Sequence, residues 1–124
     1  MRLLLDTHVV LAWLLGGGDL GPRAEPELED PSNQLIVSAV VVWEIAIRRA
    51  LGKLEVPMTF VGDIKDSDAT TLPISIEHAA GVELLPQHHR DPFDRLLISQ
   101  ATIEKATIVS SDDKLRSYDV PVLW

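Results

Sequence analysis

Residues 91–98 have the sequence DPFDRLLI and predict the start of a helix. Asp91 is a good N-cap residue, and Pro92 stands at the first helical position, where a missing N–H has no consequence. Four apolar residues then recur at helical spacing and predict a core-facing side: Phe93, Leu96, Leu97 and Ala101. Asp91 and Asp94 share the first turn. Capping explains Asp91 by itself, whereas the role of Asp94 depends on which other acids lie near it.

The composition is that of an ordinary globular domain. The chain has 124 residues, of which 46% are hydrophobic, so a single domain spanning residues 1–124 is expected. There is no cysteine, which excludes disulfides, thiolate zinc sites and cysteine nucleophiles. No apolar run approaches the roughly 20 residues of a membrane helix, and Asp6 interrupts the first apolar run, unlike a signal peptide. A soluble, cytoplasmic protein without membrane contact is therefore expected.

The formal net charge is −8. By itself this argues against a nucleic-acid partner, because the phosphates of nucleic acids bind Lys and Arg side chains. The charge is uneven, however. An acidic run lies between Glu25 and Asp30, and basic residues occur at Arg48, Arg49, Lys53, Arg90 and Arg95. A cluster of acids in a functional site would also raise the negative count, and a bound metal ion would offset it.

Short apolar runs alternate with helical patterns along the chain. The predicted strands are residues 2–5, 34–37, 71–74, 107–110 and 121–124, and the predicted helices are 7–15, 22–30, 39–51, 57–66, 75–85 and 92–105. This alternation predicts an α/β fold with a parallel sheet covered on both faces. Sites in such folds form at the carboxyl ends of the strands. Asp6 ends the first strand and Asp112 follows the fourth.

The helix at 39–51 carries an isolated acid. Val40, Trp43, Ile47 and Leu51 predict its apolar face, and Glu44 lies one step away from that face. Taken alone, Glu44 is explained by an i,i+4 ion pair with Arg48, which is worth a few tenths of a kcal/mol.

Asp6 is not explained as a solvated surface acid, because it ends a strand of three leucines that is predicted to be buried. Burying an unpaired carboxylate costs several kcal/mol of folding free energy. Asp6 could instead cap the next helix. Asp112 has the same alternative, and Asp113 could take its place. Acids without cysteine suit a hard cation such as Mg²⁺ or Mn²⁺, which activates water and binds a phosphodiester.

The histidines favour no zinc site. His8, His78, His88 and His89 form no zinc-type pair with an acid at helical spacing. His88 and His89 are interpreted as loop packing or substrate contacts.

Several segments in chain order form a familiar set: LLLDTH at 3–8, WEIAI at 43–47 with LGKL at 51–54, HRDPFDRLLI at 89–98, VSSD at 109–112 and VPVLW at 120–124. Together they resemble the PIN-domain ribonucleases, and among them the VapC-type toxins of toxin–antitoxin pairs. The resemblance spans nearly the whole chain. Each motif alone is weak, but their order and spacing are specific.

The resemblance implies a three-layer α/β/α fold with a mostly parallel central sheet of about five strands. It implies an RNA-hydrolysing site with Mg²⁺ or Mn²⁺ as cofactor, in which four acids act as metal ligands and catalytic residues: Asp6, Glu44, Asp94 and Asp112. Asp91 would be a neighbour of this site, and the hydroxyls of Thr7 and Ser110 would support its acids. The resemblance also implies a homodimer and a cognate antitoxin that covers the site.

Two other interpretations remain open. A phosphoryl-transfer domain of the haloacid-dehalogenase type also has an acid after its first strand, but it requires a second Asp two residues later, where this chain has His8. A non-catalytic module that only binds a partner would use the acids as helix caps. Convergence of the acids on one pocket separates metal ligands from caps, because caps would point at separate helix ends.

Overall fold

A parallel β-sheet forms the centre of the computed structural model, which describes residues 1–88 and 91–124. Its strands are β1 (Arg2–Leu5), β2 (Gln34–Ser38), β3 (Thr70–Leu72), β4 (Thr107–Val109) and β5 (Val122–Leu123). The α-helices of the described residues are α1 (Thr7–Leu15), α2 (Ala24–Glu29), α3 (Ala39–Ala50), α4 (Phe60–Asp66), α5 (Ile76–Gly81) and α6 (Pro92–Glu104). Short 3₁₀ turns occupy Val82–Leu84 and Asp113–Ser117.

The sheet has the strand order β3-β2-β1-β4-β5, and every neighbouring pair is parallel. β1 lies at the centre, with Leu4 aligned to Ile36 on one side and to Ile108 on the other. The three leucines of β1 are fully buried. Successive strand residues point to opposite faces, so helices must cover both faces of the sheet. The predicted α/β class and parallel sheet are confirmed.

The order of strands reverses at β1, since the chain first builds outward through β2 and β3 and then returns to the other side for β4 and β5. In open parallel sheets, such a reversal opens a crevice beyond the carboxyl ends of the central strands. The chain leaves β1 at Asp6 and enters α1 directly, and it leaves β2 at Ser38 and enters α3. The fold thus brings the starts of these two helices to the same edge.

The predicted apolar face of α3 is partly wrong. Its buried residues are Val40, Val41, Glu44 and Ile45. Trp43 is 49% exposed and Leu51 is 63% exposed. The reason is that α3 packs against both α1 and α6, so the stripe through Val41 and Ile45 faces the protein. Trp43 lies to one side, where its ring meets Phe93 edge-on at 4.8 Å.

Smaller differences concern where elements begin and end. α4 begins at Phe60 rather than at Pro57, because residues 57–60 form a turn closed by Phe60 N–H and the Pro57 carbonyl at 3.1 Å. The helix predicted for 75–85 is α-helical only to Gly81 and then tightens to a 3₁₀ turn. Phe93 and Leu96 on α6 are half-buried, and Leu97, Ile98 and Ala101 provide its buried side. No helix in the part of the chain described combines the length and apolarity that crossing a membrane requires.

Two glycines provide a test of the packing. A Cβ on Gly21 would collide with the backbone of Trp124 and lie 2.6 Å from its Cγ, whereas a Cβ on Gly62, in α4, would meet nothing within 4 Å. We expect Gly21→Ala to destabilise the fold by about 1–3 kcal/mol through overpacking. Gly62→Ala should be neutral or stabilise it by up to about 1 kcal/mol through helix propensity. Denaturant melts of the two variants measure the difference, and equal stabilities would contradict the packing at the carboxyl terminus.

Candidate functional site

A cavity of about 210 Å³ lies at the carboxyl edge of the sheet. Its lining combines residues from four places in the chain: Asp6, Thr7, His8, Glu44, Arg48, Asp91, Asp94 and Asp112. The four acids singled out in the sequence all contribute to it, and Asp91 joins them. Among the described lining residues, five carboxylates thus face one guanidinium.

Asp6 links the end of β1 to the start of α1. Its Oδ1 accepts a hydrogen bond from Val9 N–H at 2.9 Å, so it caps α1, which the sequence left open as an alternative. The residue is only 6% exposed. Burial is the largest influence on the carboxyl and raises its pKa, and hydrogen bonds from Ser110 and Val9 oppose this effect. Asp6 therefore caps a helix and also lines the cavity as a carboxylate that is costly to ionise.

Glu44 reaches the cavity from the middle of α3. Its Oε1 accepts a hydrogen bond from the Thr7 hydroxyl at 2.7 Å. Its Oε2 pairs with the Arg48 guanidinium, also at 2.7 Å, which confirms the predicted i,i+4 pair. The glutamate side chain is 8% exposed and that of Arg48 is 40% exposed. The ion pair therefore joins a buried acid to a partly exposed base.

The start of α6 brings two acids to the cavity. Asp91 Oδ1 accepts hydrogen bonds from the N–H groups of Phe93 at 2.8 Å and Asp94 at 3.3 Å, which confirms the predicted N-cap. Pro92 occupies the first position of the helix. Asp94 follows in the same first turn and lines the cavity beside Asp91. The cap thus fixes the position of both carboxylates.

The structure distinguishes between the two adjacent acids after β4. Asp112 lines the cavity, and its Oδ1 caps the following 3₁₀ turn through Lys114 N–H at 3.0 Å. Its own N–H donates to the Ser110 hydroxyl at 3.1 Å. Asp113 is 95% exposed and lies 3.5 Å from the Arg116 guanidinium. Asp112 is consequently the acid that the backbone turns toward the cavity.

The histidines have different environments. His8 lines the cavity and is exposed, which its sequence context did not reveal. His78 is buried in the capping box of α5: its Nδ1 accepts from Ser75 N–H at 3.0 Å, and its Nε2 lies 3.2 Å from Glu104. His88 packs edge-on against Tyr118 at 5.2 Å. His89 and Arg90 lie outside the described residues.

The two arginines near the site also differ. Arg95 is buried and donates to the Pro86 carbonyl at 2.8 Å and the Val82 carbonyl at 3.2 Å, so it fastens α6 to the preceding turn. Arg48 was predicted only as the partner of Glu44. A helix wheel places it one turn beyond Glu44, but its position in the cavity wall became visible only with the packing of α3.

The chemistry of the cavity fits a hard divalent cation, because its donors are carboxylate and hydroxyl oxygens. Within the described ranges, however, no three Asp, Glu, His or Cys side chains are arranged as a ready metal-binding group. Each oxygen of Glu44 already has a partner, in Thr7 or in Arg48. The cavity thus contains oxygen ligands suited to a divalent cation, but Glu44 is paired with the Arg48 guanidinium.

Comparisons with known proteins identify the fold of the chain. The family model for the PIN domain matches residues 3–121. The structure of VapBC2 from Rickettsia felis, bound to a DNA fragment from their promoter, aligns with a TM-score of 0.73 and 16% identity, covering 98% of this chain and 97% of that chain. VapBC-1 from nontypeable Haemophilus influenzae aligns with a TM-score of 0.65 and 16% identity, covering 98% and 96%.

The PIN domain endonuclease Utp24 aligns with a TM-score of 0.52 and 16% identity, covering 93% of this chain and 74% of that chain. At these identities the structural likeness shows a shared fold. A comparison with curated proteins gives no match.

The raised pKa of Asp6 predicts a pH-dependent stability. The folded protein binds the Asp6 proton more tightly than the unfolded chain does, so stability is lost as pH rises from the ordinary carboxyl pKa of 3.8 through the folded pKa. Asp6→Asn keeps an oxygen to cap α1 and removes the charge. In chelator at neutral pH, this variant should melt at a higher temperature than the wild type, and the gap should close as pH falls below about 4.

Asp113→Asn is the matched control, because it removes the same charge from a fully solvated position beside the site. Thermal melts between pH 3 and pH 8 test the prediction. An Asp6→Asn variant that behaves like Asp113→Asn throughout this range would show that burial of the Asp6 charge does not strain the fold.

Proposed function

The chain belongs to the PIN domain family, and on this premise we propose that it is a Mg²⁺- or Mn²⁺-dependent endoribonuclease acting as the toxin of a VapBC-type toxin–antitoxin pair. The observation that carries the proposal is the convergence of Asp6, Glu44, Asp94 and Asp112 on one cavity. They come from the end of β1, the middle of α3, the start of α6 and the turn after β4.

Helix capping alone does not explain this convergence. Asp6, Asp91 and Asp112 each cap a helix, but Glu44 is a buried acid in the middle of α3. A protein gains nothing in stability from burying that carboxylate beside other carboxylates. The arrangement therefore favours a site that uses negative charge over a module in which the acids serve only as caps. The endonuclease among the structural neighbours agrees with this choice.

In the proposed site, Asp6, Glu44 and Asp94 would hold the divalent ion, and Asp112 would complete or orient the site. When bound, the ion would lower the pKa of a water molecule and place positive charge near the phosphoryl oxygens. The chain's own hydroxyls fix the acids: Thr7 holds one oxygen of Glu44, and Ser110 donates to Asp6. The uncompensated acids would repel RNA, so positive charge is required for substrate binding as well as for hydrolysis.

Removing the charge of single acids tests this site. Asp6→Asn and Asp94→Asn should each lower Mn²⁺-dependent cleavage of a structured RNA by at least about a hundredfold, because a lost ligand should cost no less than a lost supporting contact. The double variant should be scarcely slower than either single variant, since ligands of one site act as a unit. Initial cleavage rates with Mn²⁺, against a chelator blank, provide the measurement.

Asp91→Asn is the control within the same helix turn. Asn caps a helix about as well as Asp, so this variant should fold normally and keep more activity than Asp94→Asn. Full metal-dependent cleavage by purified Asp6→Asn would refute the catalytic assignment.

We also propose a surface for the antitoxin. An apolar groove of about 560 Å³ lies between α3, α4 and β3, with Val42, Trp43, Val61, Ile64 and Leu72 among its lining residues. Trp43 precedes Glu44 and contacts Phe93, which precedes Asp94, so the groove ends beside the acid cavity. An amphipathic antitoxin segment placed in the groove could extend a basic side chain to the acids.

Several solved neighbours are toxin–antitoxin complexes, which supports a partner of this kind. A homodimer is part of the same proposal and rests on the family resemblance.

Variants of the groove test the partner surface separately from the acid site. Val61→Glu places a charge in the groove, and we expect it to weaken binding of the protein encoded directly upstream by about tenfold or more, because a buried unpaired charge is strongly unfavourable. RNA cleavage by the free variant should stay near the wild-type rate. Leu84→Glu is the control, since Leu84 is 85% exposed and lines a different groove.

Affinity purification after co-expression and titration of the purified pair measure the effect. Equal binding by the two variants would show that this groove is not the binding surface. Purification of the wild-type chain without its upstream neighbour would contradict the proposed partner.

A further inference from the structure

Arg48 is the one guanidinium among the described residues lining the acid cavity. It meets Glu44 Oε2 at 2.7 Å, while the Thr7 hydroxyl meets Oε1 at the same distance. The carboxylate is therefore held from both sides, but the two partners differ. Thr7 is buried and neutral, whereas the Arg48 side chain is charged and 40% exposed.

We propose that Arg48 is an internal counter-ion that occupies the metal-binding oxygen of Glu44 and must leave before a divalent cation binds there. This inference rests on the proposed function. It assigns to Arg48 the control of metal loading, as a positioning residue that acts through Glu44. The guanidinium places one positive charge beside a crowded group of carboxylates and so offsets part of their mutual repulsion in the absence of metal.

Competition follows from electrostatics. A divalent ion on Glu44 would lie close to the guanidinium, and like charges at short distance repel each other. The metal and Arg48 therefore exclude each other from the same oxygen. Thr7 does not compete, because a hydroxyl bonded to Oε1 keeps the carboxylate oriented while Oε2 changes its partner.

The position of Arg48 allows it to leave. Its side chain is 40% exposed, and a side chain with access to water loses little when it exchanges an ion pair for water. Glu44, which is 8% exposed, has no such freedom. The exchange is thus a movement of the arginine around a fixed glutamate.

The next residue along the helix provides a matched control. Arg49 carries the same charge on α3 but lies over the Phe60 ring, 5.7 Å from its centre. It is absent from the lining of the acid cavity. Arg48→Gln and Arg49→Gln therefore change the net charge equally and differ in whether they release Glu44.

Binding of Mn²⁺ alone to the purified chain tests the inference without reference to activity. Titration calorimetry should show that Arg48→Gln binds Mn²⁺ about threefold to tenfold more tightly than the wild type, the range set by removing one partly buried competitor. Arg49→Gln should change the affinity by less than about twofold. Arg48→Lys should restore most of the wild-type affinity, because it keeps a charge that can compete.

Equal affinities for Arg48→Gln and Arg49→Gln would overturn the inference, as would weaker binding by Arg48→Gln. A chain that binds Mn²⁺ in none of its forms would overturn the proposed metal site itself.

A measurement on the wild-type protein does not depend on any variant folding. During a Mg²⁺ titration, the Arg48 Nε–H signal in ¹⁵N NMR spectra should shift while that of Arg49 stays in place. A Mg²⁺-saturated protein with an unchanged Arg48 signal would contradict the exchange.

Discussion

Repulsion among clustered carboxylates has to be offset at the edge of the sheet where the strands end. Five acids line a cavity of about 210 Å³, and burial raises the pKa of Asp6. The fold tolerates them because backbone N–H groups and hydroxyls are aimed at their oxygens. Val9 N–H donates a hydrogen bond to Asp6, Phe93 N–H in the first turn of α6 donates to Asp91, and Lys114 N–H donates to Asp112. Asp6, Asp91 and Asp112 are thus attached to the starts of helical segments, whereas Glu44 lies in the middle of α3.

The strand order explains why acids that are distant in sequence become neighbours. β1 is central, and β2 and β4 flank it, so the chain after each of these strands begins at one edge. Asp6 and Asp112 come directly from that geometry. Glu44 and Asp94 depend on helices, and α3 contacts both α1 and α6 in the structure. The packing that closes the core therefore also concentrates negative charge at this edge.

Local chemistry made much of the fold predictable. The leucines of β1, the caps Asp6, Ser38, Ser75 and Asp91, and the proline at the start of α6 each signal their element within a few residues. The orientation of Trp43 was not predictable from the helical wheel, because it depends on α3 packing against two helices instead of one. The end of the α5 α-helix at Gly81 was also missed, since that segment's apolar pattern continues to Leu85.

The acids of the candidate site were predictable from the sequence, whereas the arrangement of charges around them was not. The family resemblance implied Asp6, Glu44, Asp94 and Asp112, but the sequence could not separate Asp112 from Asp113. That distinction comes from the Ser110–Asp112 turn. The position of Arg48 in the cavity wall also required the tertiary structure. An i,i+4 ion pair is common on the surface of a helix. The pair of Glu44 with Arg48 differs because the glutamate is buried and lines the acid cavity.

The most direct test of the account is the anomalous diffraction of crystals of the purified chain grown with millimolar Mn²⁺. The account predicts a Mn²⁺ peak inside the cavity, bonded to oxygens of Asp6, Glu44 and Asp94, with Arg48 turned away from Glu44. Well-diffracting crystals at saturating Mn²⁺ that show no peak in the cavity, with Arg48 still paired to Glu44, would contradict it.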